Sequence, residues 1–492
     1  MRASDNLFLL IKSLSRSEKR EFKLLAGRYR NSSSRLAIRL FDIIDKLAEF
    51  DETVVIKKLK IPNSSSVYPP MKVYLHNLIM RILRNGIADT SNQMILTQLI
   101  QDIYIYEDRG LNSLHSKTIK RAILLAREME ELHIEALLID LECRIKLEHN
   151  FKVGKDFLKE MERQETQNLS SQNQEIQLRH LFYRLWMQYK LHRKSKSRDI
   201  TLIVAEVQER VSFFKEEAVA GFKPKWYYLR IHSLLASIHD NKLEGARYCQ
   251  LMIDLFDLYP NHKDNHFPSY RSALVNFLVA SHRLHHYEDF PPMLKRLYEI
   301  VGTTDRERAL LFSDITFYEI LYLMNTHQFE KIVHTIPNVE ANIKRYIPLL
   351  SESRVLSFYN NIAIACFLCQ DFSTALTYVG KVNNFGSELR NDILRSVSLL
   401  EILVHFELRN ISLVTYKSRN LLRELKSRGL IAELEQMSMK YLRQLIRSTS
   451  RVTTQRVYQA FLKEVELVYA RDPENAPLFC DELLIWLRGK EA

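Results

Sequence analysis

Tyr359-Asn-Asn-Ile362-Ala363-Ile-Ala-Cys366-Phe-Leu-Cys369-Gln370-Asp371-Phe372-Ser-Thr-Ala375-Leu-Thr-Tyr378-Val379-Gly-Lys-Val382 is the stretch on which the fold turns. Apolar residues recur at three- and four-residue intervals on either side of a short polar break, Gln370-Asp371. That is the pattern of two amphipathic helices joined by a tight turn. Ala363 and Ala375 are small where two such helices cross most closely, and the larger apolar residues fill the space between neighbouring pairs.

The layout recurs. Asn241-Lys242-Leu243-Glu244-Gly245-Ala246 follows a helix bearing Leu234 and Ile238, and His285-His286-Tyr287-Glu288-Asp289-Phe290 follows Leu274, Phe277 and Leu278. His327-Gln328-Phe329-Glu330-Lys331-Ile332 follows Ile320 and Leu323, and Arg409-Asn410-Ile411-Ser412-Leu413-Val414 follows Ile402 and His405. Positions equivalent to Ala375 are Ala246, Phe290, Ile332 and Val414, at successive separations of 44, 42, 43 and 39 residues. An earlier unit is expected around His149-Asn150-Phe151. The best unit resembles a tetratricopeptide repeat, with Tyr359, Ile362, Ala363, Phe372, Ala375, Val379 and Val382 on that family's positions, although Cys366 stands where the family usually has tyrosine. The spacing near 40 exceeds the ~34 of the family consensus. The resemblance covers about residues 130–430. It implies an all-α fold, an α-solenoid of stacked antiparallel helical hairpins of tetratricopeptide-like plan, with no chemistry of its own. A non-repeating helical bundle is the other reading.

Composition agrees with helix. The 492 residues contain 11 Gly and 12 Pro, where average usage gives about 34 and 25. The expected organisation is a basic N-terminal helical module over 1–90, the helical array over 91–470 and a capping helix over 471–492, with Leu483, Leu484, Trp486 and Leu487 on its apolar face. In the first module Ser15 and Glu18 have capping-box spacing, and Asp51 can cap a short helix. Ile61-Pro62-Asn63-Ser64-Ser65-Ser66-Val67-Tyr68-Pro69-Pro70 reads as a loop, before a helix from about Met71 to Asn85. The polar run Gln164 to Gln174 reads as a loop or a solvated helix start, and 193–199 as a basic turn.

Charge is uneven. Of a net +12, residues 1–90 carry 17 Lys+Arg against 9 Asp+Glu, and the other 402 residues carry 54 against 50. Such an excess attracts phosphate or an acidic surface. The helices from Leu40, after Asp51 and from Met71 follow a helix-turn-helix order. On the last, Lys72, His76, Asn77, Arg81 and Arg84 share a face and are residue types that reach phosphates and base edges. Against this, the ten-residue loop is longer than the usual turn of about 3–4 residues.

Five widely spaced cysteines argue against a disulfide framework. There is no secretory signal and no apolar run of membrane-spanning length, so the expected compartment is cytoplasmic. The sequence lacks phosphate-loop, dinucleotide, nucleophile-elbow and zincin motifs, and no enzyme activity or cofactor is expected. Cys366 and Cys369 have no second ligand pair and read as packing thiols. His282 and His286 could share a metal with Glu288 or Asp289, but the repeat register puts them in a hairpin turn, so no metal is expected. His262 and His266 complete that histidine cluster. Carried over by register, the inner face of the array would be lined by Val279, Phe317, Leu321, Met324, Asn360, Ile364, Phe367, Leu403 and Phe406, a groove for an amphipathic helix or an extended peptide. The expected function is a protein-interaction scaffold. The alternative is a nucleic-acid-binding regulator, which resembles in layout the bacterial regulators that join a DNA-binding head to tetratricopeptide repeats.

Overall fold

The structure is a computed structural model that describes residues 5–28, 32–59, 64–87, 92–148, 155–192, 198–265, 267–385, 391–427, 433–471 and 479–491. Among the described residues every regular element is helical, and no strand is present. No helix among them is long and apolar enough to cross a membrane. The proposed repeat at His149-Asn150-Phe151 lies outside the described residues, as do most of 193–199 and His266.

The helices divide into two compact units, residues 1–231 with 255–267, and residues 232–254 with 268–492. The first opens with α1 (Asp5–Ser13), α2 (Arg16–Arg28), α3 (Ser32–Lys46), α4 (Glu52–Leu59) and α5 (Ser64–Ile87). They bury a core of their own around Ile11, Phe22, Leu40, Phe41, Ile44, Val55 and Leu75, with Phe22 and Phe41 stacked at 4.4 Å between ring centres. The capping box forms as read: the Glu18 carboxylate accepts from the Ser15 N–H at 2.6 Å, and the Ser15 hydroxyl accepts from the Glu18 N–H at 3.3 Å. Asp51 Oδ1 likewise accepts from the N–H groups of Thr53 and Val54.

The loop expected over Ile61–Pro70 is shorter than read, because helix begins at Ser64 and runs through Pro69 and Pro70. Proline's fixed φ near −65° is itself helical. What it removes is an N–H, so the carbonyls of Ser65 and Ser66 lose their usual partners while the chain stays coiled.

The first unit continues with α6 (Asn92–Asp108), α7 (Asn112–Glu128), α8 (Leu132–Glu148), α9 (Lys155–His192) and α10 (Arg198–Ser212). The polar run Gln164–Gln174 lies inside α9. There Asn168 and Gln172 donate to the Leu132 carbonyl, and Asn168 also donates to Glu135, so two residues of the run satisfy one half-buried carbonyl at the start of α8. Two further helices, α11 (Phe222–Ile238) and α12 (Lys242–Leu258), contribute residues to both units, and α13 (Asn261–Asn265) follows. The N-terminus of α11 is capped from a distance: Glu130 accepts the N–H groups of Phe222 and Lys223 at 2.6 and 3.0 Å. Gly221 permits this, since a Cβ there would sit 3.2 Å from the Glu130 carboxylate and its φ is +87°.

The second unit comprises α14 (Phe267–Arg283), α15 (Phe290–Glu299), α16 (Asp305–Asn325), α17 (Phe329–Tyr346), α18 (Glu352–Leu368), α19 (Phe372–Asn383), α20 (Asn391–Glu407), α21 (Ile411–Ser427), α22 (Glu433–Arg447), α23 (Arg451–Arg471) and α24 (Cys480–Glu491). From α15 onward each helix packs on the next, and α18 also packs on both α16 and α20. One hydrophobic core runs from Ile320 to Leu487. The pair α18–α19 packs most extensively, with Ile362, Ala363, Cys366 and Ala375 fully buried.

One three-residue turn recurs wherever the sequence marked a polar break. Asp240, His285, His327, Gln370 and Arg409 all adopt a left-handed backbone, with φ between 55° and 63°. The next N–H then reaches back five residues: Asn241 to Ala236, His286 to Ser281, Gln328 to Leu323, Asp371 to Cys366 and Asn410 to His405, at 2.8–2.9 Å. This closure satisfies carbonyls left open at a helix end. Glycine is its usual occupant, and none of these five positions has one. In two of the turns the following residue caps the next helix, with Asn241 accepting from Glu244 and Asp371 from Thr374.

A buried ion triad ties three alternate helices of this unit. Asp314 of α16, 5% exposed, pairs with Arg271 of α14 and, at 3.6 Å, with Arg354 of α18. Burial pushes its carboxyl above the ordinary range, and the two guanidiniums oppose that rise. Removing one partner from a buried pair typically costs about 3–5 kcal/mol. Asp314→Ala is therefore expected to destabilise the second unit by roughly that amount, measured by urea unfolding. Gln370→Gly is expected to act oppositely, by about 0.5–1 kcal/mol. Relief of a left-handed strain of about 1–2 kcal/mol outweighs the added freedom of glycine in the unfolded chain. A fall in its thermal midpoint would refute the strain.

Candidate functional site

The amphipathic helix α24 packs against both α23 and α18. Its pattern places Leu483, Trp486 and Leu487 on one face, and all three are buried in the core of the second unit. The Trp486 ring lies 6.2 Å from Phe367 of α18, 6.3 Å from Phe406 of α20 in an edge-on arrangement and 6.0 Å from Tyr458 of α23. Its indole N–H donates to Glu407 at 2.8 Å, and Lys490 reaches the same carboxylate at 2.7 Å. The helix is thus held by an apolar anchor with a polar handle.

The structure brings only part of the sequence-derived groove to this seat. Phe367 and Phe406 touch Trp486 directly. Met324, Asn360, Ile364 and Leu403 are buried, Phe317 and Leu321 are half-buried, and Val279 is exposed. The nine residues therefore do not form one open groove in this chain. The register that selected them mixes core with surface, and an occupant from the chain itself covers two of them. Phe317 carries the Arg354 guanidinium over its ring at 4.0 Å. The Asn360 amide donates to Asn361, while its side-chain oxygen is buried without a hydrogen-bond partner.

Beside the seat lies a cavity of ≈ 480 Å³. The hairpin turns supply His285, Tyr287, Asn325 and His327, and α23 and α24 supply Glu466, Tyr469, Asp481, Glu482 and Arg488. Tyr287 donates to Asn325 at 2.8 Å, and Glu466 pairs with Arg488 at 3.0 Å. Glu482 is reached by solvent only in part, and the protein packed around it pushes its carboxyl up to about 7. Burial also raises Asp481, against the pull of Tyr469, His285 and His327.

The cysteines are buried or half-buried free thiols. Burial pushes Cys366 up to about 12 and raises Cys369, so neither is a ready thiolate. His262 stacks on Phe222 at 4.0 Å, and His282 hydrogen-bonds the Tyr287 hydroxyl at 2.9 Å. Among the described residues no group of His, Cys, Asp or Glu is arranged to hold a metal ion.

On α5, His76, Asn77, Arg81 and Arg84 are exposed along the outer face. Lys72 is not offered to a ligand in the same way: it pairs with Glu52 at 2.9 Å and lies 4.5 Å over the Tyr68 ring. Four residues, 60–63, separate α4 from α5, within the length of a helix-turn-helix turn. The sequence reading missed Asp314, Glu482 and the seat of Trp486. Only the last left a trace, as a tryptophan among leucines at helical spacing.

Comparison with protein-family models, with curated proteins and with solved structures found no match for this chain.

Glu482 gives a pH test. Its folded value lies above the ordinary 4.5, so between these limits the folded state binds the extra proton. The stability this contributes is present at low pH and is lost as pH rises toward 7 and beyond. Thermal midpoints of the wild type and of Glu482→Gln, compared at pH 5.5 and 8, are expected to differ. The glutamine variant gains relative to the wild type at the higher pH, and parallel profiles would show that Glu482 is ordinary.

Proposed function

We propose that this chain is a non-enzymatic interaction scaffold, a solenoid of helical hairpins of tetratricopeptide-like plan whose inner face receives an amphipathic helix from a protein partner. The recurrent left-handed turn supports a true structural repeat, because each unit closes in the same way at a spacing near 40 residues. The packing of α18 on α16 and on α20 supports stacking of hairpins side by side. The carrying observation is Trp486. An aromatic anchor of an amphipathic helix sits between Phe367 and Phe406, with its indole N–H satisfied by Glu407. A face that holds one such helix has the chemistry to hold another, by the helix-in-groove mode.

A second reading is favoured by one observation. The four-residue interval between α4 and α5 removes the length objection to a helix-turn-helix, so a nucleic-acid-binding regulator with α5 as its reading helix stands beside the scaffold.

The scaffold reading is tested by cutting the folded chain at a protease site introduced into 472–478. A labelled peptide of residues 479–491 is then expected to exchange with the resident helix reversibly while the helical circular dichroism is retained. A nicked chain that unfolds on losing the helix, or that never admits the labelled peptide, would make α24 plain core and remove the support for a helix receptor.

A further inference from the structure

The first unit carries a basic concavity separate from the outer face of α5. Arg35, Arg39 and Lys46 of α3 and Lys58 of α4 line a depression of ≈ 410 Å³, floored in part by Ile38 and Ile43. Arg35, Arg39, Lys46 and Lys58 are exposed. Asp42 is the acid among the lining residues, and Lys23 already neutralises it at 2.6 Å. Arg39 reaches the Lys58 backbone carbonyl at 3.4 Å, which spans the two helices but leaves its charge uncompensated. Among the described residues Arg35, Lys46 and Lys58 have no acidic partner.

Elsewhere in the module three cations are held in ion pairs. Lys19 pairs with Asp45, Lys23 with Asp42 and Lys72 with Glu52. Those pairs consume the acids that lie near α3, so the four lining cations keep their charge. The four lining cations thus form one cluster within the module's surplus, alongside exposed cations elsewhere such as Arg16, Arg20, Lys57, Arg81 and Arg84.

The row on α3 also has a direction. Arg35, Arg39 and Lys46 lie on one stripe of the helix, and eleven residues at 1.5 Å each extend over about 16 Å. A single phosphate would need converging donors. A line of cations of this length instead matches consecutive charges along a polymer backbone.

We propose that this concavity binds the phosphate backbone of a nucleic acid, with Arg35, Arg39, Lys46 and Lys58 each facing backbone phosphates. Such contacts position a strand without reading its sequence. The inference adds to the nucleic-acid reading of α5 but does not need it, because the cations belong to α3 and α4.

The test uses the full chain and a short labelled DNA duplex, titrated at several salt concentrations. The expected result is salt-dependent binding. The exposed triple substitution Arg35→Ala, Lys46→Ala, Lys58→Ala should weaken it by roughly ten-fold or more and flatten the salt slope by about 0.9 per lost contact. Loss of binding in Arg81→Ala, Arg84→Ala, with the triple variant unchanged, would overturn the concavity while leaving the α5 reading in place. No binding by the wild type at low salt would overturn both. Competition by inorganic pyrophosphate at equal phosphate concentration would point to a discrete anion pocket and overturn the backbone assignment.

Discussion

Reversing a helix within three residues is the constraint from which the second unit follows. The middle residue of such a turn must take a left-handed backbone, which an L side chain resists by about 1–2 kcal/mol. The chain accepts this at Asp240, His285, His327, Gln370 and Arg409. It offsets the cost with a backbone hydrogen bond that would otherwise be left open at the helix end. The same closure is used each time, and from α16 onward the helices bury apolar stripes in one continuous core from Ile320 to Leu487. The helices between the turns vary in sequence and need only keep an apolar stripe.

The parts of the fold legible in the sequence were those written in neighbouring residues. The Ser15–Glu18 box, the Asp51 cap and the polar breaks at 241, 285, 327, 370 and 409 are local chemistry, and each appears where its residues stand. Two local readings failed for local reasons. Proline disturbs a helix by removing an N–H and crowding the carbonyl four residues back, not through its φ, and near the start of α5 the helix runs through Pro69 and Pro70 in spite of both. The run Gln164–Gln174 is largely exposed as read, but it lies in the middle of α9 rather than in a loop or at a helix start, and Asn168 and Gln172 within it reach the Leu132 carbonyl.

Illegible were the contacts that join residues far apart. Asp314 gathers Arg271 and Arg354 from positions 43 residues before it and 40 after it, and nothing near any of the three announces the others. The proposed groove failed in the same way. Sequence register places residues along a helix, but does not tell which of them face a neighbour and which face out. Phe367 and Phe406 lie against the Trp486 ring of α24. Leu403 and Ile364, on the same helices, are ordinary core.

The seat of Trp486 also has a consequence in time. Phe367 emerges during synthesis well over a hundred residues before the tryptophan that covers it, and Phe406 about eighty before. Throughout that interval Phe367 and Phe406 lack the cover that Trp486 gives them, and uncovered aromatic side chains invite unwanted association. The core that α24 closes is therefore complete only once Leu483, Trp486 and Leu487 have been made.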